Sequence, residues 1–284
     1  MSELDRKIEK ILYKVTDELK VVAGVDSIVY GGSRVIGTET SESNIDIGIY
    51  YVGDEVLDIE GLSNALTSLD DLHRNGLLAL PGSWGPWLNG GSCIKVDDMI
   101  VDISLRNITR VNEVIDACHS GNISIVNQFG HPFGFVSSMY LAEVDRCRVL
   151  VDKQKNVAAM KKKIRPFNAV YKNASINHFL WEADYSSKTG RKAIERKDIV
   201  YAAGALYKAA NSLIQVVYSL NDEFVMNEKG SLKLAAKFKR LPKEFINNIE
   251  TIFVALDREN IRNAFDIIDY YVNELRMMSG AVNQ

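Results

Sequence analysis

Tyr30-Gly31-Gly32-Ser33-Arg34-Val35-Ile36-Gly37, followed after a polar loop by Ser43-Asn44-Ile45-Asp46-Ile47-Gly48-Ile49-Tyr50-Tyr51, is the stretch on which the fold turns. Ser27 to Tyr30 reads as one strand and Ile45 to Val52 as a second. Glycines at 31 and 32 permit positive φ and close backbone approach, so consecutive N–H groups can face an anion. Ser33 adds a hydroxyl donor beside them. Strand alternation sends positions 44 and 46 to one side and Ile45 and Ile47 into a core. Two oxygen-bearing side chains next to a phosphate cradle suit a hard cation such as magnesium, bound jointly by protein and phosphates. The candidate third acid is Asp102, in Met99-Ile100-Val101-Asp102-Ile103-Ser104-Leu105, where a lone inward carboxylate is costly unless it meets a metal or a partner. The same Gly-Gly-Ser also fits an ordinary strand-to-loop turn.

Gly32-Ser33, then Gly37, then the triplet at 44–46 that opens a strand, then Asp102 on a later strand, resemble the nucleotidyltransferase superfamily that shares the polymerase β palm. The nearest likeness is to its small-molecule branch, which includes the antibiotic-modifying aminoglycoside and lincosamide nucleotidyltransferases. The resemblance implies an N-terminal nucleotidyltransferase fold, ATP as donor, Mg2+, and transfer of a nucleoside monophosphate to a small-molecule hydroxyl. It puts Gly32 and Ser33 on the donor phosphates, and position 44, Asp46 and Asp102 around two magnesium ions. This chain departs from the pattern at Asn44, where the family carries its first triplet acid, and at Ile36, often polar or basic in relatives. Asn44 can offer magnesium a neutral carbonyl oxygen, but the site loses one negative charge, which weakens its hold on a second metal above all. A catalytically weakened nucleotide-binding or regulatory protein is therefore the alternative expectation.

At 284 residues, 46% hydrophobic and 25% charged, the composition is that of a globular chain long enough for two domains. No segment has the roughly 18 uninterrupted apolar residues of a membrane span, and the charged start Met1-Ser2-Glu3-Leu4-Asp5-Arg6 does not read as a signal peptide. A cytoplasmic protein is expected. Cys93, Cys118 and Cys147 are too few and too far apart for a disulfide framework or a zinc site, and read as buried thiols. Residues 1–150 carry 12 Lys+Arg against 22 Asp+Glu, a net of −10, whereas 151–284 carry 22 against 15, a net of +7. An acidic half and a basic half suit carboxylates holding cations and lysines meeting phosphates, although lysine-rich exposed helices alone account for the second figure. No continuous basic stripe marks a nucleic-acid partner.

The expected architecture is α+β: a mixed sheet flanked by helices over 1–150, then an all-helical bundle over 151–284 that closes over the nucleotide. Leu4, Ile8, Ile11, Leu12, Val15 and Leu19 make a helical stripe, and Leu62, Leu66, Leu69 and Leu72 a second, over Glu60 to Asn75, with His73 as its C-terminal cation. Leu77 to Leu80 reads as a strand. Pro81 to Gly91 reads as a loop whose Trp84 and Trp87 either face a ligand or plug the domain. Cys93 to Val96 and Met99 to Leu105 form a hairpin across Asp97-Asp98. Ser137 caps a helix running towards Leu150. Helices are then expected over 154–164, 167–186, 192–220, 231–239, 243–257 and 260–278. Two residues in this half are candidates for chemistry. Glu182, beside aromatics, matches in kind the carboxylate that serves antibiotic-modifying relatives as general base. Lys229, in the loop Asn227-Glu228-Lys229-Gly230, resembles a lysine that relatives place after a long helix to meet the donor phosphates.

Overall fold

The computed structural model describes residues 2–257 and 259–281. In chain order the elements are α1 (Glu3–Leu19), β1 (Val25–Gly31), α2 (Gly32–Ile36), β2 (Ile45–Tyr51), α3 (Ile59–Leu69), α4 (Gly85–Leu88), β3 (Gly91–Val96), β4 (Met99–Asn107) and α5 (Ile108–His119). They continue with β5 (Ile125–Gln128), β6 (His131–Val136), α6 (Met139–Arg146), β7 (Arg148–Asp152), α7 (Asn156–Ile164), α8 (Ala169–Glu195), α9 (Ile199–Leu220), α10 (Ser231–Ala235), α11 (Phe245–Val254) and α12 (Ile261–Ser279). The fold class is α+β, a mixed five-stranded sheet with a helical C-terminal region. Two compact units divide the chain: residues 1–116 with 143–166, and residues 117–142 with 167–284. In place of the single cut after residue 150 read from the sequence, the chain crosses three times: it leaves the first unit inside α5, re-enters it inside α6 and leaves it again after Pro166.

In the first unit the sheet order is β3-β4-β2-β1-β7, with β2 and β4 parallel and the other pairs antiparallel. Alternation sorts its two faces. Ile45, Ile47, Ile49 and Tyr51 of β2 join Val101, Ile103 and Leu105 of β4, all 2% exposed or less, in a core closed by α1 and α3. Burying each such side chain stabilises by roughly 1.5–3 kcal/mol. The residues between them, Asp46 and Gly48 on β2 and Asp102 and Ser104 on β4, are therefore turned to the opposite face. α1 starts in a capping box in which the Ser2 hydroxyl accepts from the Asp5 N–H and the Asp5 carboxylate accepts from the Ser2 N–H.

Several expected elements change. The second helix stops at Leu69, and His73 lies beyond it at positive φ, its ring Nδ1 3.1 Å from the Thr67 carbonyl oxygen. Asp70 ends that helix because its buried carboxylate is claimed by Arg74 and by the Lys95 N–H. The strand expected over Leu77 to Leu80 shrinks to one bridge between Ala79 and Gly91. After Trp84 the loop winds into the single turn α4, which carries Trp87, buried with the Arg110 guanidinium 4.9 Å from its ring centre. The helix towards Leu150 ends at Arg146, after which β7 pairs antiparallel with β1.

In the second unit α8 and α9 run antiparallel: Ser175 pairs with Ser219 and Glu182 with Lys208, partners descending on one helix as they ascend on the other. α12 packs on both. The gap expected at 187–191 does not exist, and α8 continues to Glu195. At Gly190 a Cβ would lie 2.2 Å from a ring carbon of Phe265 on α12, so the missing side chain is what lets the helices close. The unit also holds the β5–β6 hairpin, which runs up to Ser137 and for which an all-helical bundle had no place.

Candidate functional site

The site is a row across the sheet. The strand register sets Gly31 of β1 opposite Asp46 of β2, Asp46 beside Asp102 of β4, and Asp102 opposite Cys93 of β3. Neighbouring strands lie about 4.8 Å apart, which brings two like-charged carboxylates side by side on the face away from α1 and α3. Such a pair favours a cation between them. Both acids are half-buried, and so are Ser33 and Asn44.

β1 ends in this row because Gly32 turns the chain directly into α2; Gly31, for which the sequence also allowed positive φ, stays extended at φ −130°. Gly32 has φ +70°, and a Cβ there would sit 1.8 Å from Asp46 Oδ2. Only glycine gives the backbone this approach to the carboxylate. α2 ends at Gly37, left-handed at φ +73°, whose N–H returns to the Ser33 carbonyl. Arg34 fixes the other side of the turn, its guanidinium donating to the carbonyls of Ser43 and Asn44. That clamp aims Asn44, which donates from Nδ2 to Asp102 Oδ2 at 2.8 Å.

Cys93 corrects the sequence reading. Cys118 and Cys147 are buried, but Cys93 is exposed. Although the residue is exposed, partial loss of solvent around its sulfur, followed by its hydrogen bond to Asp102, pushes the thiol up to about 11. Asp102 is thus met by a neutral donor on each side, Asn44 and Cys93. The hairpin read across Asp97-Asp98 already implied this pairing, since Val96 opposite Met99 puts Cys93 opposite Asp102. Arg34 was also missed, and its only signal was a lone basic residue two positions after Gly32.

Gly32, Ser33, Asn44, Asp46 and Asp102 all belong to the first unit, whereas Glu182 and Lys229 belong to the second. Glu182 is buried and ion-paired with Lys208 Nζ at 2.7 Å, with Ser186 donating to the same oxygen. His178 lies one turn earlier, its pKa lowered by burial. Lys229 is exposed, and its backbone N–H donates to Asn227 Oδ1 at 2.9 Å.

The donor set fits magnesium in part. Asp46 and Asp102 are hard oxygen ligands on rigid strands beside a glycine turn. Among the described residues no group of three His, Cys, Asp or Glu side chains could hold a metal ion. Water and phosphate oxygens would have to complete the shell, as is usual for magnesium. Nothing in this arrangement supplies the anionic ligands for a second cation. Also among the described residues, no helix is long and apolar enough to cross a membrane.

No protein-family model matches the chain, and no curated protein matches it. Among solved structures, a nucleotidyltransferase-like protein from Exiguobacterium sibiricum aligns at 10% identity and TM-score 0.46, over 96% of this chain and 77% of that one. The CdnC:HORMA-deltaN complex of E. coli MS115-1 aligns at 12% identity and TM-score 0.23, over 94% and 89%. Likenesses this distant fix no activity.

Proposed function

We propose that the chain binds a magnesium–nucleoside triphosphate, ATP by the family resemblance, and transfers its nucleoside monophosphate to a hydroxyl of a small molecule. The observation that carries this reading is the row Gly31–Asp46–Asp102 with Gly32 against the Asp46 carboxylate. Two carboxylates at the rim of a glycine turn are the arrangement that a palm-type nucleotidyltransferase uses to hold a metal–triphosphate. Asp46 and Asp102 would hold one magnesium ion, which when bound neutralises phosphate charge and lines up an attacking hydroxyl. Ser33 and the turn amides bind and orient the phosphates, and Arg34 keeps the 43–44 backbone in place beneath them. Glu182, the candidate acceptor base, is held in place by Lys208 and Ser186.

One observation favours a second reading, in which nucleotide binding persists without transfer. Asn44 replaces an acid and spends its amide on Asp102 rather than on a cation. Titration calorimetry with ATP and magnesium, followed by pyrophosphate release over a panel of hydroxylated acceptors, separates the two. Binding with turnover supports transfer, and binding without turnover on any acceptor supports the second reading. If Asp46→Ala and Asp102→Ala both leave magnesium–ATP binding unchanged, the site is misplaced.

A further inference from the structure

A cavity of about 710 Å³ opens within the second unit, walled by α9, the 227–236 segment, α11 and the tip of the β5–β6 hairpin. Its volume falls in the range of roughly 300–1,000 Å³ that holds one small-molecule ligand. Ile214, Ile249 and Phe253 give it an apolar interior, and Tyr207 meets Phe253 edge-on with ring centres 6.3 Å apart. Such a wall selects a flat hydrocarbon body. Burial, and then the charge of Glu228, raise the Tyr207 phenol above its ordinary value and so keep it a neutral hydrogen-bond donor.

The charges of the pocket are not evenly available. Glu228 is committed to the wall itself, with one oxygen 2.9 Å from His131 Nδ1 and the other accepting the Phe133 N–H. Both members of that pair are nearly buried, 9% and 7% exposed. Lys229 and Lys233 stand on the 227–236 segment as exposed ammonium groups, with no ion-pair partner among the described residues. Glu250, exposed on α11, turns an anion away from that helix and towards the lysines.

We propose that this pocket is a binding site for a small amphipathic anion, with its flat apolar body against Phe253, Tyr207 and Ile249 and its negative head at Lys229 and Lys233. Every residue that forms the pocket belongs to the second unit.

Two fluorescent probes share a body and differ in charge: 1-anilinonaphthalene-8-sulfonate and neutral N-phenyl-1-naphthylamine. Titrated into the full chain, both should bind at one saturable site, the sulfonate about fivefold more tightly, as expected for exposed lysines acting on one anion. That preference should fade in 0.5 M salt, whose Debye length is roughly 4 Å. Ala236→Trp fills the pocket from an exposed position and should abolish binding of both probes. Lys233→Glu should erase the preference and leave the neutral probe unaffected, and as a change to an exposed lysine it folds even where the tryptophan does not. Failure of the wild-type chain to bind either probe saturably, or binding that survives Ala236→Trp in a normally folded protein, overturns the site. Equal affinity for the two probes, or a preference that survives Lys233→Glu, overturns the anionic head.

Discussion

Substituting alanine at three glycines separates the part of the turn that is backbone strain from the part that is shaped around a carboxylate. Gly31 has φ −130° and nothing within 4 Å of where an alanine methyl would stand, so Gly31→Ala should change neither stability nor ligand affinity. Gly37 has φ +73° and open space, so Gly37→Ala carries only the left-handed penalty, about 1–2 kcal/mol. Gly32 combines φ +70° with a methyl 1.8, 2.4 and 2.7 Å from Oδ2, Cγ and Cβ of Asp46. The Asp46 oxygen could swing aside, but its Cβ is fixed by β2, so the turn itself must move. Adding steric repacking to the left-handed penalty gives about 2–4 kcal/mol in all. For a chain of this size that is a fall in Tm of roughly 5–12 °C, against about half as much for Gly37→Ala. Because the turn shifts away from the carboxylate, magnesium–ATP affinity should also fall, by about 10–100-fold if one charge-assisted contact is lost. Thermal melts of the three variants, with calorimetric titration of magnesium–ATP at a temperature where all are folded, read both quantities. If Gly32→Ala destabilises no more than Gly37→Ala, or binds magnesium–ATP as the wild type does, the turn is not built around Asp46.

Three further outcomes test the row and its surroundings. Asn44→Asp removes the amide donated to Asp102 and adds a third carboxylate, so the variant should melt below the wild type in chelator and gain more than the wild type from magnesium at about 10 mM, a level that fills weak carboxylate sites; an equal gain would mean that position 44 does not face the cation. Asp102→Asn should accelerate alkylation of Cys93 by iodoacetamide at mildly alkaline pH, because the carboxylate contributes to holding the thiol near 11, and magnesium should accelerate it in the wild type by neutralising the same charge; mass spectrometry of the Cys93 peptide reads both effects. Asp70 is held well below the usual carboxylate range, first by its hydrogen bonds with Arg74 and then by the Lys95 and Arg74 N–H groups, which outweigh its burial. With the folded value depressed, its contribution to stability is present above about pH 4 and is lost as pH falls below it, so Asp70→Asn should lose stability at neutral pH and narrow its deficit towards about pH 2.5 in urea titrations.

What the sequence disclosed was whatever depends on local periodicity. The stripe from Leu4 to Leu19, the two strands around the glycine turn and the hairpin across Asp97-Asp98 are set by residues a few positions apart, and they put Asp46 on β2 and Asp102 on β4. What stayed hidden depends on distant partners. β7 is five residues following directly on a helix, and it is a strand because β1, more than a hundred residues earlier, has a free edge for it. Gly190 reads as a break until Phe265 fills the space it leaves. The stretch 117–142 looks continuous with the sheet domain, yet its hairpin belongs with the long helices. Cys93 reads as a small buried hydrophobe by residue type alone, and only the register turns it towards Asp102.

The row explains what asparagine at position 44 does to the chain before any ligand arrives. Asp46 and Asp102 already place two negative charges on adjacent strands in a half-buried setting, where each additional anion raises the cost of folding without a cation. A third acid at the mouth of β2 would add to that repulsion and lower stability in the absence of a cation. An amide of nearly the same shape instead donates to Asp102, removes one unit of repulsion and satisfies an acceptor. Stability without a ligand rises for the same reason that attraction for a second cation falls. The turn around Gly32 is unaffected by the exchange, since its geometry is set by the Asp46 carboxylate and the Arg34 clamp. On the proposed reading, seating a phosphate beside one cation is therefore separable, residue by residue, from the added negative charge that would draw a second cation, and position 44 is where the two part.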